Sequence, residues 1–129
     1  MSFAGSYKLA KTENFDEFLK ELGVGMIKRK LAGSTTPELE VTQDGDSWTV
    51  KTKTAIKNSE IKFKLGEEFD EVRQDDAKVK STITQEGNTW KQVQKGDKDV
   101  VITREFTADG VNTVATVNGV SSTRFYARQ

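Results

Sequence analysis

The chain has 129 residues and a mass of 14.4 kDa, the size of one domain, and only 34% of its residues are hydrophobic. Lysine plus arginine number 20 and aspartate plus glutamate number 20, so there is no net field of the kind that draws a protein to nucleic acid. Histidine and cysteine are both absent, which excludes Ser-His-Asp and Cys-His nucleophiles, Cys/His zinc sites, histidine-ligated haem and disulfides.

The opening segment, Met1-Ser2-Phe3-Ala4-Gly5-Ser6-Tyr7-Lys8, lacks the apolar stretch of a secretory signal, and no apolar run reaches half a bilayer span. The cytosol is the expected compartment. Low hydrophobicity raises the question of disorder, but disordered chains pair it with high net charge, and here the net charge is zero. A folded chain this polar suggests an interior with one wall that is not fully dry.

After a short strand-like Tyr7–Leu9, Asn14 is placed as the N-cap of a helix. Phe15, Phe18, Leu19 and Leu22 follow at i, i+3, i+4 and i+7 on one face, and Gly23 is placed as the C-terminal cap. A second short helix fits 24–31, with Val24, Ile27 and Leu31 on one side and Gly33 as its stop. Pro37 ends the helical region. From there the period is two, punctuated by Asp44-Gly45-Asp46, Lys57-Asn58-Ser59, Gly66, Asp75-Asp76, Glu86-Gly87-Asn88, Gly96-Asp97, Asp109-Gly110 and Asn118-Gly119. Trp48/Val50/Thr52/Thr54, Ile61/Phe63/Leu65 and Val100/Ile102/Arg104/Phe106 each alternate against more polar neighbours. About nine strands after the helices and one before predict an all-β antiparallel sandwich or barrel in a single domain, 1–129. Ten strands form a wider barrel than the eight whose side chains just fill the interior. Two short helices could lid one end.

Alternation leaves the direction of the arginines open. If the Val100–Phe106 face is internal, Arg104 is held inside, which is costly unless the charge is paired; if it is external, Arg104 pairs with a surface acid. Arg124 and Tyr126 point to one side of a strand, either inward or outward with Phe125 in the core. Thr52, Thr54, Gln92 and Gln94 are candidates to hold internal water or to face solvent.

Several segments resemble the intracellular fatty-acid-binding proteins. They are Gly5-Ser6-Tyr7-Lys8-Leu9, Asn14-Phe15-Asp16-Glu17-Phe18, Leu22-Gly23-Val24-Gly25, the run from Lys57 to Glu71, and the closing Thr123-Arg124-Phe125-Tyr126 with Arg104 upstream. Their order along the whole chain matches that family. Tyr7 stands where many relatives carry Trp, and Ile56 where several carry a portal Phe. The resemblance implies a ten-stranded up-and-down β-barrel, or β-clam, with a helix-turn-helix lid between its first two strands. It also implies a monomer that carries one long-chain fatty acid, with no cofactor or metal. Arg124 and Tyr126 would hold the carboxylate directly and Arg104 directly or through water, because a guanidinium grips a carboxylate in two-pronged fashion and a phenol adds a donor. Phe15, Leu19, Val24, Pro37, Trp48, Val50, Ile56 and Val114 are the expected hydrocarbon wall, and Thr52 and Thr54 the polar part of the ligand site. Lys20, Lys28, Arg29 and Lys30, set away from an apolar lid face of Phe15, Leu19, Ile27 and Leu31, would touch anionic membrane during transfer.

Three other functions compete with this one. A retinoic acid carrier of the same fold remains compatible with two arginines. A lipid-acting enzyme would draw on Glu67-Glu68 or Asp75-Asp76, but adjacent strand residues point to opposite faces and both pairs sit near turns. A nucleic-acid-binding barrel needs clustered basic residues with exposed aromatics, whereas here acids are interspersed throughout.

Overall fold

Short alternating runs, each closed by a turn residue, fold into ten strands in a computed structural model that describes residues 3–54, 58–73 and 77–129. Strand β1 (Gly5–Glu13) precedes helices α1 (Phe15–Leu22) and α2 (Met26–Ser34). Strands β2 (Glu38–Asp44), β3 (Ser47–Lys53), β4 (Asn58–Lys64), β5 (Phe69–Val72) and β6 (Lys78–Glu86) follow. The chain ends in β7 (Thr89–Lys95), β8 (Val100–Phe106), β9 (Gly110–Val117) and β10 (Val120–Arg128). All form one antiparallel sheet in the order β4-β3-β2-β1-β10-β9-β8-β7-β6-β5. Sequential neighbours pair except β4 and β5, which are the two ends of the sheet, and β1 joins β10, giving a nearly closed barrel with two helices between its first two strands.

The first strand is longer than the three residues its alternation suggested, and the register explains why. Tyr7 pairs with Arg128 and Leu9 with Tyr126, but then Lys11 pairs with Phe125 and Thr12 with Arg124. A bulge at Ala10 adds one residue and flips the phase, which hides the second half of the strand from a period-two search.

Helix α1 follows its predicted face: Phe18 and Leu19 are buried against Val100 and Val117, with Phe15, Leu22 and Val24 packed around them. Gly23, at φ 100°, caps it by donating its N–H to the Lys20 carbonyl at 3.0 Å. Asn14 occupies the N-cap position but is left-handed at φ 60°, and its amide donates to the Ser121 carbonyl at 2.9 Å instead of to the helix. Its role is to tie the lid to β10. The far end of α1 is tied down too, since Lys98 Nζ donates to the Glu21 carbonyl at 2.6 Å and Asn118 Nδ2 to Glu21 Oε1 at 3.1 Å.

Helix α2 departs from expectation. It begins two residues later, at Met26, and runs through Gly33 to Ser34. Ile27 is 77% exposed, Met26 62% and Leu31 46%, so Ile27 and Leu31 do not join a buried lid face. A helix this short holds by its links to α1, and here that link is polar: Arg29 donates to the Val24 carbonyl at 2.7 Å and to Asp16 at 3.1 Å.

The base of the barrel is filled by an aromatic plug. Phe3 stacks on Phe106 at 4.6 Å between centroids, while Trp90 meets Trp48, Phe63 and Phe106 edge-on at 4.9, 5.4 and 4.9 Å. Tyr7, fully buried, donates its hydroxyl to the Phe3 carbonyl at 2.7 Å.

Candidate functional site

Register decides what faces the interior. Across β8, β9 and β10 the partners Arg104↔Thr113↔Arg124 lie side by side, flanked by Trp90 on β7 and Thr12 on β1. One step toward the base, Phe106, Val111 and Tyr126 form the next inward row. Toward the lid come Ile102 and Ala115, then Val100 and Val117 at the strand ends.

Burial along these faces runs opposite to that of a filled core. Val100 and Phe106 are buried at the two ends of β8 while the inward Ile102 and Arg104 between them are only partly so. On β9, Val111 and Val117 are buried around partly accessible Thr113 and Ala115, and on β10 Ser122 and Tyr126 bracket Arg124 in the same way. Three neighbouring strands therefore line internal space at mid-height, closed below by the aromatic plug and above by α1. A half-open cleft of about 430 Å³ lies between β1 and the two helices, bordered by Leu9, Thr12, Phe15, Asp16, Arg29 and Lys30, and reaches Arg124 of the inward row. That size falls within the range of roughly 300–1,000 Å³ usual for ligand pockets.

Two polar groupings stand on the inward faces of the barrel wall. On the β5–β8 side, Glu71 Oε1 accepts from Ser81 Oγ and Gln92 Nε2 at 2.7 Å and from Gln94 Nε2 at 3.2 Å. Gln92 Oε1 in turn accepts from Arg104 Nη1 at 2.7 Å. The Gln92 amide thus has its nitrogen toward the carboxylate and its oxygen toward the cation, an orientation both charges favour. Burial pushes the Arg104 pKa down, and attraction to Glu71 and Tyr126 offsets part of that cost.

On the β10 side Arg124 has a different environment. Its guanidinium lies over the Phe15 ring at 3.8 Å, and the Tyr126 ring is 5.9 Å away. Its Nε is buried without a hydrogen-bond partner, as is Oγ1 of Thr113, its register partner on β9. Burial lowers the Arg124 pKa, opposed by Tyr126. The arrangement is a desolvated cation and an unpaired hydroxyl at the wall of an internal space, suited to an acceptor-only anion. It offers no nucleophile of ordinary reactivity.

The remaining expected wall residues distribute unevenly. Trp48 and Val50 point inward but are packed into the base cluster, and Leu19 and Val24 into the lid cluster. Pro37 is buried and its carbonyl accepts from the Leu9 N–H at 3.0 Å. Thr52 points inward, paired with Leu39 and Ser59, and Thr54 is half-buried just beyond β3. Val114 is misplaced by the sequence reading. It pairs with Thr103 and Thr123, the opposite phase from Arg104, Thr113 and Arg124, and so stands on the outer face. Ile56 lies outside the described residues. Glu71 and Thr113 were not anticipated, although Glu71 alternates in phase with Phe69, and Thr113 stands in the same phase as Val111 and Ala115.

Comparison with known proteins places this geometry in a family. The family model described as lipocalin / cytosolic fatty-acid binding protein matches residues 4–129. The fatty acid-binding protein of Tyrophagus putrescentiae is 61% identical over 126 residues, 97% of this chain and 96% of its own length. Among solved structures, the fatty acid-binding protein in brain tissue of Drosophila melanogaster superposes with a TM-score of 0.93 at 50% identity, covering 98% of this chain and 99% of that one. A Schistosoma mansoni fatty acid binding protein in complex with arachidonic acid gives a TM-score of 0.95 at 36% identity, covering 98% of this chain and 96% of its own. With strand order, lid position and nearly the whole sequence in agreement, the chain belongs to the lipocalin / cytosolic fatty-acid binding protein family.

Proposed function

We propose that this protein is a cytoplasmic carrier that binds one long-chain fatty acid inside the barrel and delivers it without chemical conversion. The observation that supports this most directly is the partly accessible middle row, where Arg124 is half-buried with its Nε enclosed and unpaired among inward apolar neighbours. A carboxylate there gains charge-assisted bonds from Arg124 and Tyr126, with Arg104 contributing directly or through water. Charge counting supports a single monoanion: at mid-wall Arg104 and Arg124 carry two positive charges and Glu71 one negative, leaving a net +1. The relatives whose names or complexes state a fatty acid point to the same ligand class.

Magnitudes permit it. Burying about fifteen methylenes at about 0.8 kcal/mol each releases roughly 12 kcal/mol. Lost freedom opposes this by about 4–15 kcal/mol, and headgroup bonds of about 1.5–3 kcal/mol each bring the balance to sub-micromolar affinity. Titration calorimetry of lipid-stripped protein with palmitate and oleate tests the reading, and absence of heat refutes it. Tighter binding of retinoic acid than of oleate in the same titration would reassign the carrier to retinoids.

Delivery is proposed to run through transient contact of the lid with anionic membrane. Lys20, Lys28 and Lys30 are exposed on the lid, alongside the exposed Met26, Ile27 and Leu31 of α2. Arg29 leaves the expected set, because it is half-buried and bound to Val24 and Asp16. Each basic residue near such a surface contributes about 1 kcal/mol. Apolar α2 side chains that no lid core covers add contact area.

A further inference from the structure

We propose that Thr113 is a specificity-determining member of the headgroup site, donating its hydroxyl proton to the same carboxylate that Arg124 holds. This rests on the fatty-acid reading above and adds a residue to it. The register places Thr113 between Arg104 and Arg124 in one inward row. Within that row Arg104 is already engaged by Gln92 at 2.7 Å, whereas Thr113 and Arg124 are register partners whose Oγ1 and Nε are each buried and unpartnered. Among the described residues two buried serine hydroxyls on the inner wall are satisfied, Ser81 by Glu71 at 2.7 Å and Ser122 by the Glu13 carbonyl at 3.2 Å.

An unpaired buried hydroxyl is a net loss to the fold, and Val would fill the same β-branched volume on this strand without it. The hydroxyl therefore adds nothing to folding that Val would not supply. Its complement is an acceptor. A carboxylate has two oxygens and about four lone-pair sites, more than Arg124 and Tyr126 occupy from β10 alone. A donor on β9 reaches the anion from a second strand and fixes its rotation about the chain axis. A neutral alcohol headgroup gains less, since bonds to ionised acceptors are roughly twice as strong.

The test uses lipid-stripped full-length protein as wild type, Thr113→Val and Thr113→Ser. Affinities for oleate and oleyl alcohol are measured by calorimetry, and the carboxyl of 13C-labelled oleate is titrated by NMR in the bound state. Thr113→Val is expected to weaken oleate about tenfold and the alcohol less than about threefold, while Thr113→Ser stays within about twofold of wild type for oleate. The bound carboxyl titrates at higher pH in Thr113→Val, because a donor to its charged form is gone. Wild-type oleate affinity in Thr113→Val, equal loss of acid and alcohol, or an unshifted carboxyl titration each overturns the proposal. Should Thr113→Val fail to fold, Thr113→Ala against Thr113→Ser is judged by the same outcomes. Failure of wild type to bind oleate refutes the carrier itself, whereas oleate binding that Arg124→Gln weakens and Thr113→Val does not refutes only the role of Thr113.

Discussion

Arg124→Gln separates headgroup recognition from fold maintenance. The substitution removes the cation and keeps a polar side chain of comparable reach on β10. In the free protein the favourable contacts of Arg124 are the Phe15 stack at 3.8 Å and a weaker one to Tyr126 at 5.9 Å, set against an unpaired buried Nε and a pKa lowered by burial. The stack contributes up to about 2 kcal/mol when desolvated. Burial of an uncompensated charge costs several kcal/mol. The free variant is therefore more stable by about 1 kcal/mol, a rise in Tm of roughly 3–5 °C for a chain of this size. Fatty-acid affinity moves the other way. Loss of one or two charge-assisted bonds at about 1.5–3 kcal/mol weakens oleate by about ten- to a hundredfold, and oleyl alcohol far less. Calorimetry with both ligands, paired with thermal melts of the lipid-stripped proteins, reads the two effects independently. Equal losses for acid and alcohol, or a fall in Tm, would refute the reasoning and make Arg124 a structural residue.

Tyr7 provides a pH test: burial raises its phenol pKa above the ordinary 10.0, only partly opposed by Arg128. The folded state then binds the proton more tightly than the unfolded chain, so this stability is intact below pH 10 and is lost as pH rises through the raised value; the wild-type minus Tyr7→Phe difference in urea stability should shrink across that window, and a flat difference rejects it. Gly110→Ala should cost about 2–4 kcal/mol and also weaken oleate, because a Cβ there overlaps the Tyr126 carbonyl oxygen; an unchanged melt counts against it. Glu71→Gln removes the negative charge behind Arg104 and should tighten oleate a few-fold, whereas weaker binding in calorimetry would mean that Glu71 serves chiefly to position Gln92 and Arg104. Lys20→Glu with Lys30→Glu should lower affinity for anionic vesicles by at least about thirtyfold, the loss of two attractions of about 1 kcal/mol each before any added repulsion, and slow ligand transfer to them, with equilibrium oleate affinity unchanged. Transfer rates indifferent to vesicle charge, vesicle concentration and salt would return these lysines to plain surface.

The sequence alone determined the period and the chemistry it excluded. Alternation with turn residues every few positions specified ten short strands, and spacing at i, i+3, i+4 and i+7 specified α1 with the buried Phe18 and Leu19. Lack of histidine and cysteine removed whole reaction classes before any fold was known. What a period cannot carry is its sign. A strand that alternates can turn either phase inward, and the choice is made by its partners across the sheet. Pairing through Thr113 turned Arg104 and Arg124 into the barrel and put Val114 outside, and the bulge at Ala10 reversed the phase of β1 midway. Helix α2 shows the same limit: Ala32 packs on the lid core, but the tertiary structure gives the larger Met26, Ile27 and Leu31 nothing to cover. Glu71 and Thr113 became visible only when six strands, β5 to β10, brought polar side chains, distant in sequence, within bonding distance or in register across the barrel interior.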